Sequence, residues 1–504
     1  MTDPNQPQGM EDMCAIFVHA GAGFHSFENQ GKHLLACKHA VRAGMVFLRN
    51  GATAVDAVEM AIASLEDAPI TNCGYGSNLN AEGLVEADAS IVDHFGRSGA
   101  VGAVPNVKNP IMAARKIYDQ SYKLPGMARV PPNLLVGEGA ADFAWNNGVV
   151  LVTNDALITP STQERWQTWR QEISDWEATH PESNSKGDEN PWIRHCVDPL
   201  QNHIARTFGN VDDQAKVRAE LSSMHEAVET SEMDMDAASS STASPRPRNG
   251  KPRQHTSEAV PTKEEPQNGN NQKPGSTQES KFSRDAIGGD SITDTVGAIA
   301  VDRYGNIAAG SSSGGIGMKH RGRVGPAALI GIGTHVIPVD PADPDQTCVA
   351  SVTSGTGEHI ASTLAASVSA YRIYFCQKVI GNGVSEQVTE EEALEAMIVN
   401  EFSGHPALQN NAIRGSIGIM TVKKTKDGIA LYFAHNTDSF AVASMSSNDK
   451  LPSAVMSRKT KRDSKVANGG MMMRPRQYIR ASRTSKSPTE KKARKKKRHS
   501  SESP

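Results

Sequence analysis

The tract 228–288 is dominated by serine, proline, glutamine, asparagine, glycine and charged residues. Such a mixture buries too little apolar surface to offset the entropy of ordering it, so the tract is expected to be disordered. Any fold must come from the apolar, glycine-rich stretches on either side. The far boundary is sharp: Asp294-Thr295-Val296-Gly297-Ala298-Ile299-Ala300-Val301-Asp302 sets a threonine at the mouth of an apolar, β-branched strand. Threonine opens many ordinary buried strands. Its chemistry changes only if the backbone is cut before it, because Thr295 then carries a free α-amine, of ordinary pKa about 8, that can take the proton of its own hydroxyl.

Three polar, glycine-rich clusters follow. Asn306-Ile307-Ala308-Ala309-Gly310-Ser311-Ser312-Ser313-Gly314-Gly315 reads as a short strand ending in hydroxyls and glycines, Lys319-His320-Arg321-Gly322-Arg323-Val324-Gly325 adds cations, and Ser351-Val352-Thr353-Ser354-Gly355-Thr356-Gly357-Glu358 closes the series. Glycines let backbone N–H groups converge on a developing oxyanion, where loss of one donor costs about 10²–10³ in rate. Ser354 and Gly355 suit that part. Arg323, held between glycines, can offer a planar fork to a carboxylate, and Ser313 can hydrogen-bond the amine or hydroxyl of the threonine.

The order and wording of these segments resemble the type 2 asparaginase group of N-terminal nucleophile hydrolases and, within it, the threonine aspartase (taspase) branch. The likeness reaches into the amino-terminal part. Phe17-Val18-His19-Ala20-Gly21-Ala22-Gly23 resembles the group's opening strand and glycine turn, and Leu65-Glu66-Asp67-Ala68-Pro69-Ile70-Thr71-Asn72-Cys73-Gly74-Tyr75-Gly76-Ser77-Asn78-Leu79-Asn80 its signature loop. Glu86-Ala87-Asp88-Ala89-Ser90-Ile91-Val92-Asp93, Gly99-Ala100-Val101-Gly102-Ala103-Val104, Lys108-Asn109-Pro110 and Val136-Gly137-Glu138-Gly139-Ala140 continue it in order, so that it covers roughly 14–150 and 288–445.

The resemblance implies an α/β fold, a four-layer αββα sandwich of the N-terminal nucleophile hydrolase type, interrupted by a long disordered insert. It implies Thr295 as the nucleophile, exposed by self-cleavage between Asp294 and Thr295, with Ser313 as a supporting hydroxyl and Ser354 with Gly355 as the oxyanion hole. Arg323 becomes the carboxylate clamp, Gly357 a substrate-contact glycine, and Asn72 the amide behind the active threonine. In amidohydrolase relatives the loop at 65–75 wraps a sodium ion with backbone carbonyls, so a structural sodium is an open expectation here; no metal or cofactor is expected in the chemistry. The likeness also implies an αβ heterodimer that pairs into a dimer of heterodimers.

One departure separates substrates. The amidohydrolase relatives read glycine-arginine-valine-glycine-aspartate, the aspartate gripping a free α-amine, whereas Pro326 follows Gly325 here. A free ammonium would find no anion there. An endopeptidase has the opposite need, because its P1 nitrogen is a neutral amide and a facing carboxylate would be desolvated without a cationic partner. The residues therefore favour a self-activating threonine endopeptidase that cleaves protein substrates after aspartate, the residue that itself precedes Thr295. An asparaginase or isoaspartyl peptidase, and an inactive homologue acting as a nuclear interaction protein, are the alternatives.

The rest of the chain sets bounds. Its 504 residues divide into 14–294, which carries an insert at 159–290, then 295–445 beginning with the nucleophile, and a basic, disordered tail at 446–504. Helical spacing over 37–48 and 54–65 points to helices packed on a sheet. A satellite helix is expected over 164–176, with Trp166, Trp169, Ile173 and Trp176 on one side, and a second amphipathic piece over 211–224. Strands are expected over 296–301 and 307–310, helices over 358–376 and 390–402, and a hairpin turning at Lys426-Asp427-Gly428. The six cysteines, Cys14, Cys37, Cys73, Cys196, Cys348 and Cys376, show no paired spacing, which suits a reducing compartment. No apolar run would span a membrane, and 1–12 lacks a secretory profile. Basic runs at 491–498 and 246–253 point to the nucleus as well as the cytoplasm. They lack the interleaved aromatics of a nucleic-acid reader, so no sequence-specific nucleic-acid partner is expected.

Overall fold

Strands of two-residue period and amphipathic helices sort the apolar residues into three cores. The computed structural model describes residues 13–121, 129–179, 295–381, 383–409, 415–459 and 464–474. All lie in one compact unit. The first part of the chain forms β1 (Ala15–Gly23), α1 (Gln30–Arg49), α2 (Ala54–Glu66), β2 (Ala87–Val92), β3 (Ser98–Val104), α3 (Pro110–Gln120), β4 (Leu134–Val136), α4 (Gly137–Asn146) and α5 (Pro160–Thr179). The second forms β5 (Val296–Val301), β6 (Ile307–Ser313), β7 (Thr334–Ile337), β8 (Cys348–Gly355), α6 (Gly357–Ser362), α7 (Ala365–Phe375), β9 (Gln377–Gly381), β10 (Val384–Gln387), α8 (Glu390–Ala396) and α9 (Pro406–Gln409). It ends in β11 (Ile417–Thr425), β12 (Gly428–His435), β13 (Ser439–Ser446), β14 (Ser453–Arg458) and β15 (Ala467–Met473).

An eight-stranded sheet has the order β14-β13-β1-β5-β6-β2-β3-β4 and a five-stranded second sheet β15-β12-β11-β8-β7, while β9 and β10 pair as a separate two-stranded ribbon. Side chains on a strand alternate between faces, so a single strand feeds two cores. In β5, Val296, Ala298 and Ala300 join α1 to α4 in one core, while Ile299 and Val301 meet Ala350, Val352, Met420 and Val422 of the second sheet. In β11, Ile417 and Ile419 turn to a third core closed by α7, α8 and the turn that follows α8. Helix, sheet, sheet, helix is the result: a four-layer αββα sandwich of the N-terminal nucleophile hydrolase type. The chain on both sides of the long insert builds one sheet, since β5 and β6 sit between β1 and β2.

Local chemistry explains the elements. Thr53 caps α2 in a reciprocal box with Asp56, and α1 packs closely against α2 at Gly44, where a Cβ would come within 2.9 Å of the Ala57 carbonyl. The expected hairpin at 426–428 is β11–β12, with Gly428 at φ 156°. Three expectations change. The helix expected over 358–376 is two, α6 and α7, because Leu364 takes a left-handed φ of 49° between them. That expected over 390–402 runs as α8 and then widens into a π-helical turn, Met397–Phe402.

The tail does not begin at 446. β14 pairs with β13 and β15 with β12, adding edge strands whose half-exposed faces leave only a faint alternation in the sequence. The tryptophan helix is α5, and it is seated on the signature segment: Trp166 Nε1 donates to the Asn80 carbonyl at 2.9 Å and Arg165 to Asn78 Oδ1 at 3.1 Å. The expected helix at 211–224, the disorder at 228–288, the rest of the insert and both basic runs lie outside the described residues.

Candidate active site

Strand parity places the expected site between the sheets. Thr295 stands at the head of β5, buried, and its hydroxyl donates to Ser313 Oγ at the end of neighbouring β6, 3.1 Å away. Ser313 Oγ also accepts from the Gly315 amide at 3.0 Å. Neither hydroxyl has an ionisable hydrogen-bond partner among the described residues. Ser354, on β8 of the second sheet, faces the same gap, and its Oγ accepts from the Ala22 amide of β1 at 3.1 Å, which ties the two sheets together at this end. Gly355 takes a φ of 134°, and a Cβ there would run into the Ser416 carbonyl, so the position admits only glycine. Among the described residues no hydrogen bond joins Ser354 or Gly355 to Thr295 itself.

Asn72 lies behind this pair rather than in it. Its carbonyl accepts from the Gly314 amide and its Nδ2 donates to the Gly315 carbonyl, both at 2.8 Å, while its Oδ1 accepts from the Asn78 amide at 2.8 Å. Asn78 Nδ2 reaches the same Gly315 carbonyl at 3.0 Å. A Cβ on Gly314 would fall 2.6 Å from Asn72 Oδ1. The two amides thus hold the backbone that carries Ser313.

Arg323 is wrapped in glycine. Its Nη1 lies 2.9 Å and 2.7 Å from where Cβ atoms on Gly315 and Gly325 would be, and its Nη2 rests against Gly357. One edge of the guanidinium, Nε and Nη2, donates to Glu358 Oε1 at 3.0 and 2.8 Å. The arginine side chain is 15% exposed and the glutamate 58%, so a carboxylate already sits at the mouth of the fork. Pro326 is buried, with Cδ 2.9 Å from the Cβ position of Gly357, and presents a ring where the amidohydrolase pattern has a carboxylate.

Buried charge surrounds these groups. Asp88 is fully buried, its Oδ1 accepting from the Ala103 amide and its Oδ2 from the Gly325 amide, each at 2.8 Å. Burial pushes its carboxyl up, opposed by the Lys319 ammonium, and pushes Lys319 down, opposed by Asp88 and Glu86. Lys319 Nζ donates to the Glu86 carbonyl at 2.6 Å. On the opposite face of β6, Glu66 Oε1 accepts from Ser312 Oγ at 2.7 Å and from the Ile111 amide at 3.0 Å. Its Oε2 has no partner among the described residues, and burial pushes the carboxyl up to about 8.

The expected Thr295–Ser313 and Arg323–Gly357 pairs are each in contact, and Asn72 is joined to both through Gly315. Asp294 lies outside the described residues. The sequence reading gave no part to Glu66, Glu86, Asp88, Lys319 or Glu358. A usable signal was present in Glu86 and Asp88, since two carboxylates at the start of an otherwise apolar, strand-like run must find partners if buried.

A sandwich of this type, with paired hydroxyls at the head of a central strand, defines the class of N-terminal nucleophile hydrolases. Within it the chain belongs to the asparaginase family, which it matches over residues 13–217 and 228–430. It is 28% identical over 403 residues to the probable isoaspartyl peptidase/L-asparaginase 2 of Arabidopsis thaliana, covering 79% of this chain and 90% of the plant protein. To the isoaspartyl peptidase/L-asparaginase of Danio rerio it is 39% identical over 155 residues, 30% of this chain and 46% of the fish protein. To the isoaspartyl peptidase of Salmonella typhimurium it is 33% identical over 158 residues, 30% and 48% of the two chains. The chain spans about half the length of the fish and bacterial relatives.

Proposed function

We propose that this protein is a self-activating threonine endopeptidase of the threonine aspartase type, which cuts itself between Asp294 and Thr295 and then cleaves proteins after aspartate. The observation that carries the reading is the pairing of the Thr295 hydroxyl with another hydroxyl and, among the described residues, with no histidine or carboxylate. A nucleophile so placed needs a base from elsewhere, and a freed α-amine on the same residue supplies it.

In the precursor the Thr295 hydroxyl attacks the Asp294 carbonyl carbon, its proton passing to the departing Thr295 nitrogen as the peptide C–N bond breaks to leave an ester and a free amine, and water cleaves the ester to an Asp294 carboxylate. In the mature enzyme the same hydroxyl attacks the carbonyl of a substrate aspartate while the Thr295 amine takes its proton and returns it to the leaving amine, and water then cleaves the resulting ester to release the aspartate carboxylate and restore the hydroxyl. Ser354 accepts the Ala22 amide through Oγ, so its own O–H proton is available, with the Gly355 region, to a developing oxyanion. Arg323 grips the aspartate side chain, and Asn72 holds the Gly315 backbone against which the fork lies. Pro326 removes the anion that a free α-ammonium would require, which favours a peptide over a free amino acid. The exposed Glu358 beside Arg323 suits an asparaginase or isoaspartyl peptidase, the activities named for the relatives, because it could meet such an ammonium.

No group of three or more His, Cys, Asp or Glu side chains among the described residues is placed to hold a metal ion. A sodium ion on the 65–75 loop would draw on backbone oxygens, with those of Pro69 and Thr71, which converge on Gly76 at 2.7 and 2.8 Å from its Cβ position, as the fitting donors. It would brace the loop that carries Asn72. Residence in nucleus and cytoplasm, and pairing of two αβ units, belong to the same proposal.

The deciding assay offers purified protein three substrates: a peptide with internal aspartate, a β-aspartyl dipeptide and L-asparagine. Cleavage after the internal aspartate, lost in Thr295→Ala, supports the endopeptidase. Turnover of only the two small substrates would overturn it in favour of the amidohydrolase.

A further inference from the structure

We infer that Asp88, with Glu86 beside it, is the positioning device that fixes the reach from the nucleophile to the arginine fork, and so makes the site choose aspartate over glutamate at P1. The inference rests on the aspartate-directed reading above and adds the residues that set the length of its pocket.

Asp88 stands directly across the ladder from Ser313, the hydroxyl partner of the nucleophile. The β2–β3 register shifts at this point, between Ala87 and Ala89, and Ala103 on the facing strand takes a left-handed φ of 44°. Such a bulge leaves an amide out of the ladder and re-aims a side chain. Asp88 Oδ1 takes up the Ala103 amide at 2.8 Å, and its other oxygen takes the Gly325 amide at 2.8 Å. Glu86 repeats the arrangement two residues earlier, accepting from the Gly322 amide at 3.2 and 3.0 Å through its two oxygens, while its carbonyl accepts from Lys319 Nζ at 2.6 Å.

Residues 319, 322 and 325 of the loop that carries Arg323 are therefore all anchored to 86–88, and the same short segment is paired with the strand of Ser313. Nucleophile and clamp are built on one rigid reference, and Gly315, Gly325 and Gly357 leave the guanidinium little room to drift. Aspartate and glutamate differ by one methylene, about 1.5 Å of reach. A fork fixed relative to Ser313 separates them, whereas one free to move by that amount does not. Asp88 touches none of the proposed reacting atoms; it acts through the loop and through its charge near Arg323.

The test compares wild type with Asp88→Asn on two peptides that differ only in aspartate or glutamate at P1. Asparagine keeps the shape but has one acceptor for two amides. The ratio of kcat/KM for aspartate over glutamate is expected to fall at least ~10-fold, mainly through a higher KM for the aspartate peptide, with kcat within about threefold. In an Arg323→Lys background the same substitution should change the ratio by less than about twofold, because the fork is already displaced, a coupling that a general loss of stability would not produce. A folded, processed Asp88→Asn enzyme with an unchanged ratio overturns the inference. If that variant does not fold or process, Glu86→Gln decides on the same ratio, with a fall of about threefold expected and no change overturning the inference. Wild type that leaves both peptides intact would instead overturn the peptidase reading, and this inference with it.

Discussion

The two faces of β6 hold neighbouring serines put to opposite uses. Ser313 points between the sheets, where its oxygen meets the Thr295 hydroxyl and the Gly315 amide and where Arg323 opens to solvent through Glu358. Ser312 points into the helix-side core, where it satisfies one oxygen of Glu66, a buried acid with no hydrogen-bonded cation among the described residues. One step along a strand separates the hydroxyl of the proposed site from one that seals a polar group in the core. Burial alone does not mark a functional acid. What sets the cleft side, between the sheets, apart is that Thr295, Ser313 and Gly315 are linked to one another, whereas Glu66 knits α2, α3 and β6 together.

If that contrast is sound, cleft-side substitutions should change rates and helix-side ones stability. The largest effect is expected from Thr295→Ala, which should lower peptide turnover by at least ~10⁴-fold while the protein stays folded by circular dichroism. Arg323→Ala should lower kcat/KM for an aspartate peptide by about 10²–10³, as loss of a charge-paired fork does, with little change in thermal melting. On the other face, Glu66→Gln should leave the rate near wild type and act on the pH dependence of stability. The carboxyl holds its proton up to about pH 8 when folded, against an ordinary value of 4.5. Its contribution is therefore complete below about 4.5 and is lost as pH rises towards 8, so wild type should lose melting temperature across that window and Glu66→Gln should lose less. The smallest effect belongs to Ser312→Ala, about 1 kcal/mol of stability by denaturant titration with turnover within twofold. A large rate loss in Ser312→Ala would break the contrast outright.

The layers were legible wherever a strand or helix showed a clean period. The strand after Thr295, the hairpin at 426–428 and the helices at 37–48 and 54–65 carry their cores in their spacing. Ser313, Arg323 and the glycines around them could be picked out because hydroxyls, cations and glycines stand next to apolar strands. What escaped was set by long-range partners. Asp88 is meaningful only once a shifted register brings Ala103 and Gly325 to it. Glu66 matters because β6 and α3 arrive from distant parts of the chain, and Glu358 because a loop folds Arg323 back over it. β14 and β15 were missed because edge strands bury only half of what a central strand does.

The central claim is that the hydroxyl of Thr295 acquires its base by becoming a chain terminus. N-terminal sequencing and intact mass of the purified protein after incubation test it most directly. The account predicts two chains, the smaller beginning Thr295-Val296-Gly297, and a single uncut chain for Thr295→Ala. An uncut wild type, or a new terminus at any other residue, would contradict it.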